Sequence, residues 1–552
     1  MISDIFLYLI IAGLGSEIIA KDRFERFLTF ILFGMLVFLG MNFFESWQAG
    51  VTDKFTYHWI TSRYNKADIN IFSSAENYAL IFPFFIISAL LVLDNLFYPL
   101  EPKKSSFSGL IVLNLACLIL LICSRNFIQL LIGACAIDVL GFYVTDDMEA
   151  KKKYTFYNTI ADLGLFMVFA VLWGYLGSME ISRLSDFHKL GAHRDLIAIL
   201  LIACVMIKSG MFMFQNQFLD FQGLSFNRLN MISFVSTPVV GIIILCKTYP
   251  LLEISRYSVP LIQIIAGASV FWGVCGALLI DNIKEKALYL NMMLYGTIYG
   301  LLSVGLIEST LLSELLVGGF LFVYCLMLVV ISSSNENYVS RMGGFIRSLK
   351  WTFFVTLAVI LAVFQVLIKN TTPENHYWMW GYAAALTLSL SYVLPQIYFG
   401  KSNADERVFA MLKNAFVSYW GPVLLIAAVW VYRQNLWNKT LYALCAAFAL
   451  LLILRPLRRL GAAYDSEQIQ ETDFFESLYN IMLIAPIKIL GRVLWLTIDF
   501  LIIEKTLINT LGKIMNLLIQ AVQKINSGSV WNNIAFILLG WGIIICYFYF
   551  RG

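Results

Sequence analysis

The sequence predicts an all-α polytopic membrane protein of about sixteen spanning helices, with one long amphipathic helix near its C-terminal end. Three observations carry that reading. Of the 552 residues, 60% are hydrophobic and 13% charged, and the mean hydropathy is +0.78; a soluble domain carries roughly 25% charged residues. Apolar runs long enough to cross a bilayer recur along the chain. The basic residues between them collect in alternate connections, as the positive-inside rule requires.

The runs lie near 2–20, 27–45, 77–99, 107–124, 127–145, 155–178, 195–214, 229–249, 257–280, 287–307, 309–332, 351–369, 377–399, 414–432, 438–455 and 531–550. The first lacks a basic leading segment and a small-residue cleavage site, so it is expected to be a retained span rather than a signal peptide. Connections after odd-numbered runs hold "KDRFER", "EPKKSS", "DDMEAKKK", "DNIKEK", "RMGGFIRSLK", "GKSNADERVFAMLK" and "RPLRRL", whereas those after even-numbered runs are poorer in Lys and Arg. This places the odd connections on the cytoplasmic or matrix side and the N-terminus outside. A missed or invented span would flip the pattern partway along.

Between runs fifteen and sixteen the pattern changes. From Asp473 to Ile525 the chain is helical in periodicity but polar along one side: Lys505, Asn509, Lys513, Asn516, Gln520 and Gln523 follow at steps of three and four. Such a helix lies along the membrane or across neighbouring helices instead of spanning. Fifty residues at ~1.5 Å each reach roughly 75 Å if unbroken; Pro486, Gly491 and Gly512 favour a kinked or segmented version. A helix of that reach suggests a strap onto neighbouring subunits.

Several chemistries find no support. The net charge of +4 is small and scattered, which argues against nucleic acid. The nine cysteines fall in apolar runs with no Cys-x-x-Cys pair, and His58, His188, His193 and His376 sit in polar connections, so no metal, haem or iron–sulfur site is expected. No Gly-rich phosphate loop or Ser/His/Asp grouping appears. No cofactor and no catalytic residue is expected in this chain.

What remains is charge at membrane depth. Asp94, Asp138, Asp162, Lys208 and Glu314 lie inside apolar runs. A charged amine there costs at least ~2.5–3.5 kcal/mol on insertion scales, and intramembrane ionisable groups usually face a bundle interior or water and pair with something. One reading is a relay of protonatable groups; the other is a set of ion pairs that fix helix register, which weighs most for Asp94 near a span end. Lys208 is the strongest candidate. It is followed by "SGMFMFQNQFLDFQGLSFNRLN", whose Gly210, Gln215, Asn216, Gln217, Asp220 and Gly223 argue that span seven breaks before the chain re-enters as span eight. Broken helices at this depth occur inside protein or beside a water-filled cavity.

Several stretches then resemble a known family. "NFIQLLIG" from Asn126 is similar to the start of span five, and "NTIADLGLF" followed by "YLGS" to span six, with Asp162 at its acidic position. "IKSG" from Ile207 places Lys208 and Ser209 at the central relay lysine of span seven. "DNIKEKALY", holding Lys284, resembles the link between spans nine and ten; "RMGGFIRSL" resembles the loop before span twelve. "SLYNIMLIAPI" and "INSGSVWN" resemble the two ends of a lateral helix. Together these resemble the antiporter-like membrane subunits of respiratory NADH dehydrogenase (complex I), in particular subunit L and its relatives in Mrp antiporters and membrane hydrogenases.

The resemblance implies two inverted repeats of five helices with broken helices seven and twelve: residues 1–106 as spans one to three, 107–250 and 251–400 as the repeats, 401–470 as spans fourteen and fifteen, 471–528 as the lateral helix and 529–552 as the final span. It also implies a proton path with Lys208, Asp162, Asp138, Glu314, Lys284, Ser209 and Ser233 as its candidates here, sister antiporter-like chains as partners, and a bacterial or mitochondrial inner membrane as the location.

The sequence departs from the family where the chemistry is concentrated. Cys135 stands where the family has its span-five glutamate, with Asp138 one turn further on the same face. The span-eight histidine falls on Ser233. The span-eleven His-x-x-x-His-x-x-x-Lys row becomes Glu314, Gly318 and Phe322, and the lysine of the second broken helix has no clear counterpart near Lys369 and His376. The implied outcome is a retained fold with proton pumping weakened or lost. Three functions stay open: a membrane subunit of a complex I-type machine, a membrane subunit of a transporter for inorganic carbon or for cations in exchange for protons, and a structural assembly subunit.

Overall fold

The computed structural model describes most residues from 2 to 332, with short gaps in the connections, and scattered residues between 338 and 389. The last five expected spans and the lateral-helix residues Lys505, Asn509, Lys513, Asn516 and Gln520 lie wholly or largely outside the described residues.

Helices in chain order are α1 (Ile2–Ile19), α2 (Glu25–Gln48), α3 (Ala75–Phe97), α4 (Phe107–Ile122), α5 (Phe127–Val144), α6 (Met148–Leu176), α7 (His193–Ser209), α8 (Asn216–Leu219), α9 (Phe226–Phe234), α10 (Thr237–Ile254), α11 (Ser258–Leu279), α12 (Ile283–Ser303) and α13 (Ser309–Ser332), with a 3-10 turn at Asp220–Gly223. The chain is a polytopic, mostly helical membrane protein. Among the described residues six segments are long and apolar enough to cross a membrane, and three shorter helical stretches are also apolar. The described helices overlap the apolar runs, but α6 (Met148–Leu176) starts well before the run 155–178, α7 (His193–Ser209) stops short of the end of the run 195–214, and the run 229–249 is divided. α9 stops at Phe234, and α10 starts after Val235 and Ser236.

The polar link between α2 and α3 holds the described strands β1 (Lys54–Thr61) and β2 (Lys66–Phe72), paired antiparallel from Lys54↔Phe72 to Thr61↔Lys66 with an irregularity between His58 and Ile60. The hairpin is tied to the bundle at its end. The Arg125 guanidinium lies 3.6 Å from the centre of the Phe72 ring, and Asn77 Nδ2 donates to Phe72 O at 2.8 Å.

The outer helices are apolar on their exposed sides, the reverse of a soluble protein. Phe30, Phe38 and Met41 on α2, Leu163, Phe166 and Met167 on α6, and Ile264 and Phe271 on α11 are all exposed. α4, and α10 and α12 through their middle turns, are buried on nearly every side, as helices inside a bundle should be. Lipid tails are as apolar as leucine, so such a bundle coheres through close packing at small residues. α11 and α12 show this. A Cβ added at Gly273 would lie 2.9 Å from Tyr289 O, a backbone atom. Gly273→Val is therefore expected to cost about 1–3 kcal/mol by overpacking, read as a lowered unfolding temperature in detergent; an unchanged temperature would show that α11 and α12 separate without penalty.

A broken helix and a buried charge cluster

α7 carries Lys208 as its penultimate residue, and the helix stops there for local reasons. Gly210 adopts φ 59°, in the left-handed region that glycine enters without strain, and Met213 follows with φ 81°. The chain then makes turns, the single-turn α8 and the 3-10 segment before α9 begins. A second interruption at Val235–Ser236, just before Pro238, separates α9 from α10. Two helix breaks therefore stand side by side where the apolar runs would otherwise be continuous.

Lys208 is fully buried, and its ammonium faces two carboxylates. Nζ donates to Asp138 Oδ2 at 2.5 Å and lies 2.6 Å from Asp162 Oδ1, a Coulombic contact without hydrogen-bond alignment. α5 supplies Asp138, α6 supplies Asp162 and α7 supplies Lys208, so three consecutive helices converge on one ion cluster. The Asp138 side chain is 10% exposed and that of Asp162 18%. Asp138 Oδ1 has no hydrogen-bond partner among the described residues. Cys135 lies half-buried against the same cluster, next to Asp162. One ammonium against two carboxylates leaves the group one positive charge short. A buried imbalance of that kind is relieved by taking up a proton or cation.

On the other side of the break is a cavity of about 20 Å³ lined by Ser209, Gln215, Ser233, Pro238, Asn291 and Tyr295, among others. That is room for about one water, which needs roughly 10–15 Å³ and polar partners. Gln215 Oε1, Ser233 Oγ and Asn291 Oδ1 each lack a hydrogen-bond partner among the described residues, so the lining has unmet polar capacity.

The structure separates the other candidates from the Lys208 cluster. Ser209 points the opposite way, its hydroxyl donating to Pro238 O at 3.1 Å and sharing a 2.6 Å contact with the Tyr299 hydroxyl. Ser233 offers its carbonyl to the Tyr295 hydroxyl. Lys284 Nζ donates to Leu224 O at 2.9 Å, holding the end of the 3-10 segment. Glu314 stands half-buried on α13, and Phe322 on the same helix is buried in packing. Asp94, nearly fully buried on α3, accepts a 2.6 Å hydrogen bond from Tyr324 of α13. Sequence reasoning missed Tyr295 and Tyr299. Their signal is the repeat "YGTIYG" (Tyr295 to Gly300), two tyrosines one helical turn apart.

The chain is similar to known proteins in sequence and in fold. Residues 128–367 fit the family model described as NADH:quinone oxidoreductase/Mrp antiporter, transmembrane. The chain is 22% identical over 357 residues to NADH-ubiquinone oxidoreductase chain 5 of Metridium senile, a match covering 59% of each chain. It is 27% identical over 201 residues to the chloroplastic NAD(P)H-quinone oxidoreductase subunit 5 of Citrus sinensis, covering 34% of this chain and 27% of that one. The matches therefore span little more than half of the first relative and about a quarter of the second. The fold is similar to a chain of the Mrp complex from Dietzia sp. DQ12-45-1b (TM-score 0.63, 14% identity, 99% of this chain and 63% of that one) and to a chain of the archaeal membrane-bound sulfane sulfur reductase (TM-score 0.62, 15% identity, 98% and 99%). Residues 128–367, which contain both breaks and the whole Lys208 cluster, belong to the antiporter-like transmembrane family of NADH:quinone oxidoreductase and Mrp antiporters.

Proposed function

We propose that the chain is a subunit L-like, proton-translocating membrane subunit of a multi-subunit respiratory complex, with the first half of its proton path retained in altered form and the second largely dismantled. The observation that carries this is the Lys208–Asp138–Asp162 cluster, buried at a helix break with an ammonium 2.5 Å from a carboxylate. Asp138 takes the place of the missing span-five glutamate: it lies one helical turn beyond Cys135, and its carboxylate reaches the lysine directly. A cysteine at 135 would not hold an ammonium as a carboxylate does. In the second half, Glu314, Gly318 and Phe322 replace the family's row of bases, and an aromatic ring offers no group through which a proton can hop.

Sixteen spans, two inverted repeats over 107–250 and 251–400, and a lateral helix over 471–528 complete the proposed architecture, with the N-terminus outside. The relatives named for NADH and NAD(P)H quinone oxidoreductases, and neighbours that are respiratory or Mrp complexes, support membrane-subunit partners and an energy-converting membrane. The chain would carry no redox centre of its own; its partners would supply one.

The test is Asp138→Asn in the intact complex, which keeps the side chain's shape and leaves Lys208 paired with Asp162. Proton flux into inverted vesicles is expected to fall about a hundredfold, the lower end of the roughly 10²–10⁴ range for loss of a positioned proton-transfer group. Cys135→Glu added to it should restore part of that flux. Undiminished flux in Asp138→Asn would overturn the path. Co-purification of the tagged chain without flavin or iron–sulfur subunits would overturn the respiratory assignment.

A further inference from the structure

A helix that stops leaves its last carbonyls without intrahelical donors, and at membrane depth the protein itself must serve them. At the end of α7, Ile207 O accepts from the Gln217 amide and from Gly210 N–H, Met206 O accepts from Met211 N–H, and Val205 O accepts from the Tyr299 hydroxyl at 3.2 Å. At the end of α9, Ser233 O accepts from the Tyr295 hydroxyl. Tyr295 and Tyr299 lie four residues apart on α12, so one buried face of one helix serves both breaks. Around this point there is no slack: a Cβ on Gly241 of α10 would sit 2.1 Å from Ser209 Oγ and 2.8 Å from Val205 O.

The hydroxyl hydrogens do not suffice for the contacts. Ser209 and Tyr299 own one hydrogen each. They stand within reach of three bonds: Ser209 to Pro238 O at 3.1 Å, Tyr299 to Val205 O at 3.2 Å, and one between the two hydroxyls at 2.6 Å. Two hydroxyl oxygens that close have a hydrogen between them. One hydrogen is therefore always spent inside the pair, and only one of the two carbonyls receives a hydroxyl hydrogen, beyond its intrahelical donor, at a time.

We infer that Ser209 and Tyr299 form a two-position hydrogen-bond switch that sets the last turn of α7, and with it the Lys208 ammonium, against Asp138 and Asp162. In one position Ser209 donates to Pro238 O and Tyr299 donates to Ser209 Oγ, tying α7 to the start of α10. In the other Tyr299 donates to Val205 O and Ser209 donates to Tyr299 Oη, tying α7 to α12. Only hydroxyl rotation separates them; no proton leaves the pair and no charge moves. Tyr299 acts through the helix end and is a positioning residue. The functional consequence rests on the proposed role of Lys208, but the positioning itself does not.

The test reads the cluster directly. Besides Lys208, the groups facing it are Asp138 and Cys135 on α5, Asp162 on α6 and Cys204 on α7, with Tyr154 of α6 beside Asp138. Infrared pH-difference spectra of the full chain in lipid give a carboxyl band assigned by Asp138→Asn and Asp162→Asn. Tyr299→Phe and Ser209→Ala are each expected to displace the pH dependence of that band by about one pH unit, equivalent to ~1.4 kcal/mol. The double variant should show no more than either single one, because the two hydroxyls act as one device. Tyr295→Phe, which uncaps only α9, should lower thermal stability and leave the band in place.

An unmoved band in both single variants, or additive displacements in the double one, would overturn the switch. Band displacement together with undiminished flux in Asp138→Asn would sink the proton path and leave the switch standing. If Tyr299→Phe does not assemble, Ser209→Ala carries the same reading with a smaller change.

Discussion

Lys208→Met is expected to be the most damaging single substitution in the described part of the chain, costing about 3–5 kcal/mol of stability, the range for removing one partner of a buried ion pair. The reason lies in what is left behind. Methionine fills the space well, so packing loss is minor. The loss comes from Asp138 and Asp162, two carboxylates that both sit within 2.6 Å of the same ammonium and would be left facing each other in a desolvated site. That account makes a sharper claim than instability alone: Lys208→Met combined with Asp138→Asn should be more stable than Lys208→Met, because the second change removes the uncompensated charge. Thermal unfolding of the purified full chain in one detergent measures all three. Equal stability of the single and double variants would mean that repulsion between the carboxylates is not what Lys208 suppresses.

The same cluster shows how far the sequence could be read. Asp138, Asp162 and Lys208 were candidates from their depth in apolar runs, because a charge there needs a partner, and periodicity put Asp138 on the same face as Cys135. The positions of the helices were legible for the same reason: spanning length and apolarity leave few alternatives. Two features were not. The interruption at Val235–Ser236 falls in an apolar run, and Pro238 alone is also compatible with the first turn of an uninterrupted helix. Tyr295 and Tyr299 read as ordinary interior aromatics, since what sets them apart is a hydrogen bond to a carbonyl on another helix, 62 and 94 residues away. Ser209 was legible as a neighbour of Lys208 but not its direction: adjacent residues on a helix point about 100° apart, and here one faces the carboxylates and the other α10 and α12.

Gly210→Ala is the second large effect, and its size depends on how tightly the break is held. Two separate costs apply. Alanine at φ 59° pays about 1–2 kcal/mol for the left-handed backbone. Its Cβ would also meet the Phe218 ring at 2.1 Å and come within 3.3 Å of the Gln217 amide nitrogen, adding about 1–3 kcal/mol of overpacking. Phe218 packs edge-on against Phe221 with ring centres 5.8 Å apart, so its ring has little freedom to swing aside. Gln217 is the group that serves Ile207 O, one residue before Lys208, so displacement there reaches the ion cluster. Gly50 separates the two costs: it has φ 62° but nothing within 4 Å of an added Cβ. Gly50→Ala should therefore lose only the backbone share, while Gly210→Ala should lose markedly more stability and proton flux with it. If the two variants unfold at the same temperature, Phe218 yields freely and the end of α7 is a hinge; if Gly210→Ala falls well below Gly50→Ala, the break is a rigid seat that holds Lys208 in place.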